Sequence, residues 1–203
     1  RELPREVAGY GKIDEEALYR SSDNVVVLMA EDTIENNAHQ FYELPLPESY
    51  LRRSRQLREL RVTLAYSPPV RTTRLDYMAT KISFRLVVGS SLAEIEQRFN
   101  HQTQDETDAM AEYARGRVIT SDTRSKGTVQ SSVWQFKHRN PSEKWFVVVT
   151  RQDKDWGNQS PCLDQEPYAL VVTATDRENQ QAELYADIQL RLQEQQRVRA
   201  RIG

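Results

Sequence analysis

The residues best suited to chemistry lie in a polar run from 151 to 167, "RQDKDWGNQSPCLDQEP". Asp153, Asp155 and Asn158 are spaced Asp-x-Asp-x-x-Asn, with Asp164 further on. Carboxylate and amide oxygens at such short spacing are what calcium takes, so these three are the candidate calcium ligands. Lys154 interrupts them, and no glycine stands where an EF-hand loop turns sharply, so the same residues also fit a solvated hairpin loop. The three histidines, His39, His101 and His138, are far apart, and with the single Cys162 they do not make a zinc set. There is no Gly-x-Ser-x-Gly elbow, and no serine sits in a glycine-rich turn. The Gly9-Tyr10-Gly11 turn has no strand leading into it and no third glycine, so it does not read as a phosphate loop. Arg52, Arg53 and Arg55, with Arg58, form a basic cluster that could meet an acidic group and equally fits a solvated turn before a strand. Arg71 and Arg74 are similarly placed. No residue is assigned a catalytic role, and calcium is the one cofactor the residues leave open.

The elements that would position these groups are mostly strands. Leu60, Val62, Leu64 and Tyr66 alternate with Arg61 and Thr63, the period-two pattern of a strand with one wet face. Ile82, Phe84 and Leu86 repeat it. Shorter apolar runs predict strands over 25–29, 39–46, 129–137 and 168–173. "WFVVVT", 145–150, is apolar throughout, as for a strand buried on both faces, and "YALVVT" is expected to pair with it. The segment 184–192 has helical composition, but Leu184, Ala186, Ile188, Leu190 and Leu192 alternate strictly, which predicts a strand. Helices are few. A short one is expected over 15–20. Ser91 to Glu94 has the form of a capping box, with Leu92, Ile95 and Phe99 at helical spacing, and 105–114 is helix-prone before Gly116. The expected fold is mainly β: an antiparallel β-sandwich of jelly-roll type with a helical insertion near 90–116.

The chain has 203 residues, enough for a substantial core. Charged residues are 29% and apolar ones 38%, with mean hydropathy −0.74; the clustering of β-branched and aromatic residues argues against disorder. A net charge of −2 does not suit a general nucleic-acid binder. No apolar run is long enough for a membrane-spanning helix, and the first residues lack a signal-peptide core. One cysteine excludes an internal disulfide and fits a reducing compartment, so a cytoplasmic location is expected. The chain does not begin with Met and reads as a piece of a longer protein.

Several stretches, in order, resemble the C-terminal region of subtilisin-like serine peptidases. "GYGKIDEEAL" is similar to the segment that closes the catalytic domain of that family, matching at Gly9, Gly11, Ile13, Asp14, Ala17 and Leu18. "LRVTLAYSPPV" resembles the strand and proline turn of the β-sandwich that follows some of these catalytic domains. "EKWFVVVT" and "PYALVVTAT" resemble two late strands of the same sandwich. The family's three catalytic motifs, around an Asp, a His and the Ser of Gly-Thr-Ser-x-Ala, are absent here, so no catalytic residue carries over. After the proline turn only Leu75 and Asp76 are comparable with the family's acidic segment.

The resemblance implies three parts: 1–22 as the tail of an upstream catalytic domain, 23–193 as the sandwich, and 194–203 as a charged tail. It implies a non-catalytic domain of a bacterial serine endopeptidase that stabilises the protease or guides protein substrates to it, in some subfamilies beside an AAA-type ATPase. The alternative is a stand-alone module binding a peptide or glycan on a sheet face or edge.

Overall fold

The computed structural model describes residues 25–52, 58–69, 79–101, 117–118, 128–136, 142, 144–153 and 162–176. Eight strands and two helices are described: β1 (Val25–Glu35), β2 (His39–Leu44), α1 (Glu48–Arg52), β3 (Arg58–Tyr66), β4 (Thr80–Gly89), α2 (Leu92–His101), β5 (Arg117–Val118), β6 (Val129–Phe136), β7 (Lys144–Asp153) and β8 (Gln165–Asp176). They form two sheets, ordered β1-β8-β3-β6-β5 and β2-β7-β4, in which every neighbour is antiparallel. The pairs β1·β8, β2·β7 and β3·β6 are nested, first with last and so inward. This is the winding of a jelly roll, and it bears out the expected mainly β, antiparallel sandwich.

Alternation builds the larger sheet. Leu60, Val62, Leu64 and Tyr66 of β3 and Tyr168, Leu170, Val172 and Ala174 of β8 are all buried on its inner side. Ile82, Phe84, Leu86 and Val88 of β4 and Trp145, Val147 and Val149 of β7 meet them from the smaller sheet in one core. Phe84 and Trp134 pack edge to face, with centroids 6.4 Å apart and planes at 71°, as aromatic quadrupoles favour. β7 is buried on both faces, as its unbroken apolar run requires. Its outward Phe146 and Val148 form a second cluster with Val87 and with Ile95 of α2.

The capping box forms with a shift of one residue. Ser91 Oγ accepts from Glu94 N at 3.2 Å, while the Glu94 carboxylate reaches back to Ser90 N at 2.9 Å. α2 can lie against β4 because Gly89 has no side chain: a Cβ there would come within 2.9 Å of Ile95 Cγ1.

The structure departs from the sequence reading in several places. "WFVVVT" and "YALVVT" do not pair; β7 lies between β2 and β4, and β8 between β1 and β3. A strand apolar on both faces belongs where a helix can cover its second face, and α2 does so for the smaller sheet alone among the described elements. The loop expected over 151–167 is shorter at both ends, since β7 runs to Asp153 and β8 begins at Gln165. β1 continues to Glu35, β2 stops at Leu44 before Pro45, and α1 follows. Arg58 is no part of a solvated turn. It is fully buried at the start of β3, with its guanidinium 5.6 Å from the Tyr50 ring centroid. The expected elements over 15–20, 105–114 and 184–192 lie outside the described residues.

Candidate functional site

Strand parity carries charged residues into the core at both poles of the sandwich. At one pole β3 begins with Arg58, which is opposite Asp176, the final residue of β8. Both are buried, and Tyr50 closes over them, donating to the carbonyls of Glu59 at 3.1 Å and Thr175 at 3.4 Å. Burial pushes the Tyr50 phenol far above its ordinary range, so it remains a donor.

The richer pole is at the other end, where β7 finishes and β8 starts. Arg151 faces inward from β7 in line with Val147 and Val149 and is 1% exposed. Its Nε donates to Asp153 Oδ1 at 2.8 Å and one Nη to Asp153 Oδ2 at 2.7 Å, a bidentate ion pair. The same Nη donates to the Leu163 carbonyl at 2.6 Å, and the other Nη donates to the carbonyls of Ile34 at 2.6 Å and Asp164 at 3.2 Å. Burial opposes the charge on Arg151, but the bonds and charge of Asp153, with Glu166 beyond, leave its pKa raised. Asp153 also accepts from Thr80 Oγ1 at 2.9 Å, and that hydroxyl lies 3.5 Å from Cys162 Sγ. Asn36 Oδ1 accepts from Asp153 N at 3.0 Å, beside Asn37 at φ 59°, a left-handed conformation that asparagine tolerates well. The chain thus turns from β1 into β2 directly against the guanidinium.

Glu166 lies beside this clasp, opposite Ile34. It is fully buried, and among the described residues neither carboxylate oxygen has a hydrogen-bond partner. Burial raises its pKa, the Arg151 charge lowers it and the Asp153 charge raises it again; the net is upward. Two positions along β8, the Tyr168 hydroxyl is bonded to the Tyr42 hydroxyl and to Gln40 Oε1. Tyr42 also donates to Asp32 Oδ2 at 3.2 Å, and Gln40 Nε2 donates to the Thr33 carbonyl at 2.8 Å. Burial, then the neighbouring oxygens, push the Tyr168 phenol strongly upward.

On the outer face of the smaller sheet, His39 Nδ1 is 3.0 Å from Thr150 Oγ1. Burial and the Arg85 charge lower its pKa, so the ring is neutral at pH 7.

Of the candidate calcium ligands, the structure places Asp153 in the ion pair with Arg151, with both oxygens engaged. Asp155 and Asn158 lie outside the described residues. Among the described residues no group of three or more His, Cys, Asp or Glu is placed to hold a metal ion. No helix among them is long and apolar enough to cross a membrane. Motif and spacing do not single out Arg151, Glu166 and Tyr168 as site residues. Strand parity does mark them: each continues, by twos, the inward face of its own strand.

No protein-family model matches the chain. A relative among curated proteins is the uncharacterized protein y4bN of Sinorhizobium fredii, 32% identical over 204 residues, covering 98% of this chain and 44% of that protein. The chain therefore spans less than half the length of this relative.

Proposed function

We propose that this chain is a non-catalytic jelly-roll domain of a subtilisin-like serine endopeptidase, which stabilises an upstream protease domain and guides protein substrates to it. The observation that carries the reading is where the resembling stretches fall. "LRVTLAY", "WFVVVT" and "PYALVVTAT" are β3, β7 and β8, which supply much of the core between the sheets. The family's three catalytic motifs are missing from the sequence, and Arg151 and Asp153 of the richer pole are engaged with each other and with backbone carbonyls in holding the fold. The Sinorhizobium relative has more than half of its length outside the shared stretch, as suits a domain that serves within a longer protein. On this reading the partners are the protease domain, its protein substrates and, by the same resemblance, an AAA-type ATPase in the cytoplasm.

The natural full-length protein, treated with a serine-directed fluorophosphonate probe and digested, tests this. The labelled peptide should map upstream of residue 1. A labelled serine within residues 1–203, or no labelled serine at all, overturns the reading.

A further inference from the structure

A guanidinium has five N–H donors. All five of Arg151 are committed: two to Asp153, and three to the carbonyls of Ile34, Leu163 and Asp164. These carbonyls belong to the end of β1 and to the approach to β8, so one side chain ties together three segments distant in sequence. Glu166 is within electrostatic reach of this cation, yet Arg151 has no donor left for it, and among the described residues its buried oxygens have no partner. A buried carboxyl without donors is tolerable as the neutral acid and costly as the anion. The ionised form has one remedy at hand, which is to take donors from Arg151.

We propose that Glu166 is a proton-operated latch at this pole. As the neutral acid it leaves the Arg151 clasp intact. As the carboxylate it draws Arg151 off the backbone carbonyls and loosens residues 162–166 and the end of β1. Every neighbouring element bears on this balance. β7 presents Arg151, whose charge favours ionisation, and Asp153, whose charge opposes it. β3 presents the Tyr66 phenol, which itself feels the Glu166 charge. β1 presents apolar Ile34 opposite, with Asp32 further along beside Tyr168. β4 presents the Thr80 hydroxyl, which reaches Asp153 and Cys162.

The sign follows from the direction of the shift. An acid whose pKa is higher folded than unfolded supports the fold below its unfolded value, and that support is lost as pH rises through the folded value. The latch is therefore closed on the acid side and opens toward the alkaline side.

Hydrogen exchange on the 203-residue chain tests the latch, read at the amides of Arg151 and Asp153, which bond to the Ala38 carbonyl and to Asn36 Oδ1. After correction for the intrinsic rate, their opening constant in the wild type should rise with pH by up to about tenfold per unit and then level off. In Glu166→Gln that rise toward alkaline pH should be absent, whatever the absolute value. Parallel profiles in the two proteins overturn the proposal. Should the variant not fold, carbon NMR of the Glu166 carboxyl in the wild type decides: a midpoint above 4.5 supports the latch, and one at or below 4.5 overturns it.

Discussion

Arg151 and Asp153 show how much a single inward charge can organise. The Arg151 side chain is fully buried and that of Asp153 nearly so, at 0% and 10% exposure. Removing one partner would strand the other charge out of water, which typically costs about 3–5 kcal/mol. Asp153→Ala should show a loss of this order in urea unfolding. Because Asp153 serves as the counter-ion of Arg151, the loss should be the same with calcium or with a chelator; a loss appearing only with calcium would instead mark it as a ligand. His39 gives a prediction of pH dependence. Its pKa is depressed by burial and by Arg85, so its contribution is complete above 6.5 and is lost as pH falls through the lower folded value. His39→Gln should flatten the acid side of the denaturant-midpoint profile below pH 6.5, while Glu166→Gln flattens its alkaline side. At this scale the sequence was legible only through parity. Counting back by twos from Leu60 reaches Arg58, forward from Val149 reaches Arg151, and back from Tyr168 reaches Glu166. An apolar run marks a strand's centre, and it hides the charged residues that share the same face beyond its ends.

The individual strands were legible because alternation is a local property, set by the two-residue repeat of extended chain. Their partners were not. Pairing depends on which faces other elements can cover, and "WFVVVT" found its place between β2 and β4 because α2 lies over its outer side. α2 in turn depends on Gly89. Adding one methyl group there would push against Ile95, which is fully buried between the helix and the sheet. Gly89→Ala should destabilise the protein by about 1–3 kcal/mol, the usual cost of overpacking, as measured by thermal or urea unfolding. Replacing Ile95 by Val in the same chain should recover part of the loss by opening space at the point of contact. Failure of that rescue would mean that the helix is held by other contacts.

Across the whole molecule, an apolar centre lies between two polar poles, Arg58–Asp176–Tyr50 at one end and Arg151–Asp153–Glu166 at the other. Composition and alternation were enough to give the sandwich class; they carry no role, and the one proposed above rests on the resemblance to subtilases. The nested winding also bears on how the protein is made. β8 is hydrogen-bonded to β1 on one side and to β3 on the other, so the larger sheet closes around a strand that the ribosome delivers long after its neighbours. Until Gln165 to Asp176 have emerged, β1 and β3 have no strand between them, and their backbone groups stay open to wrong partners. Such distant pairings also make folding slow. A nascent chain arrested at residue 160 should be rapidly cut by protease at low concentration, and one arrested well beyond residue 203, with the sandwich clear of the exit tunnel, should resist. Protection in the shorter chain would show that the sheet can assemble with its middle strand missing.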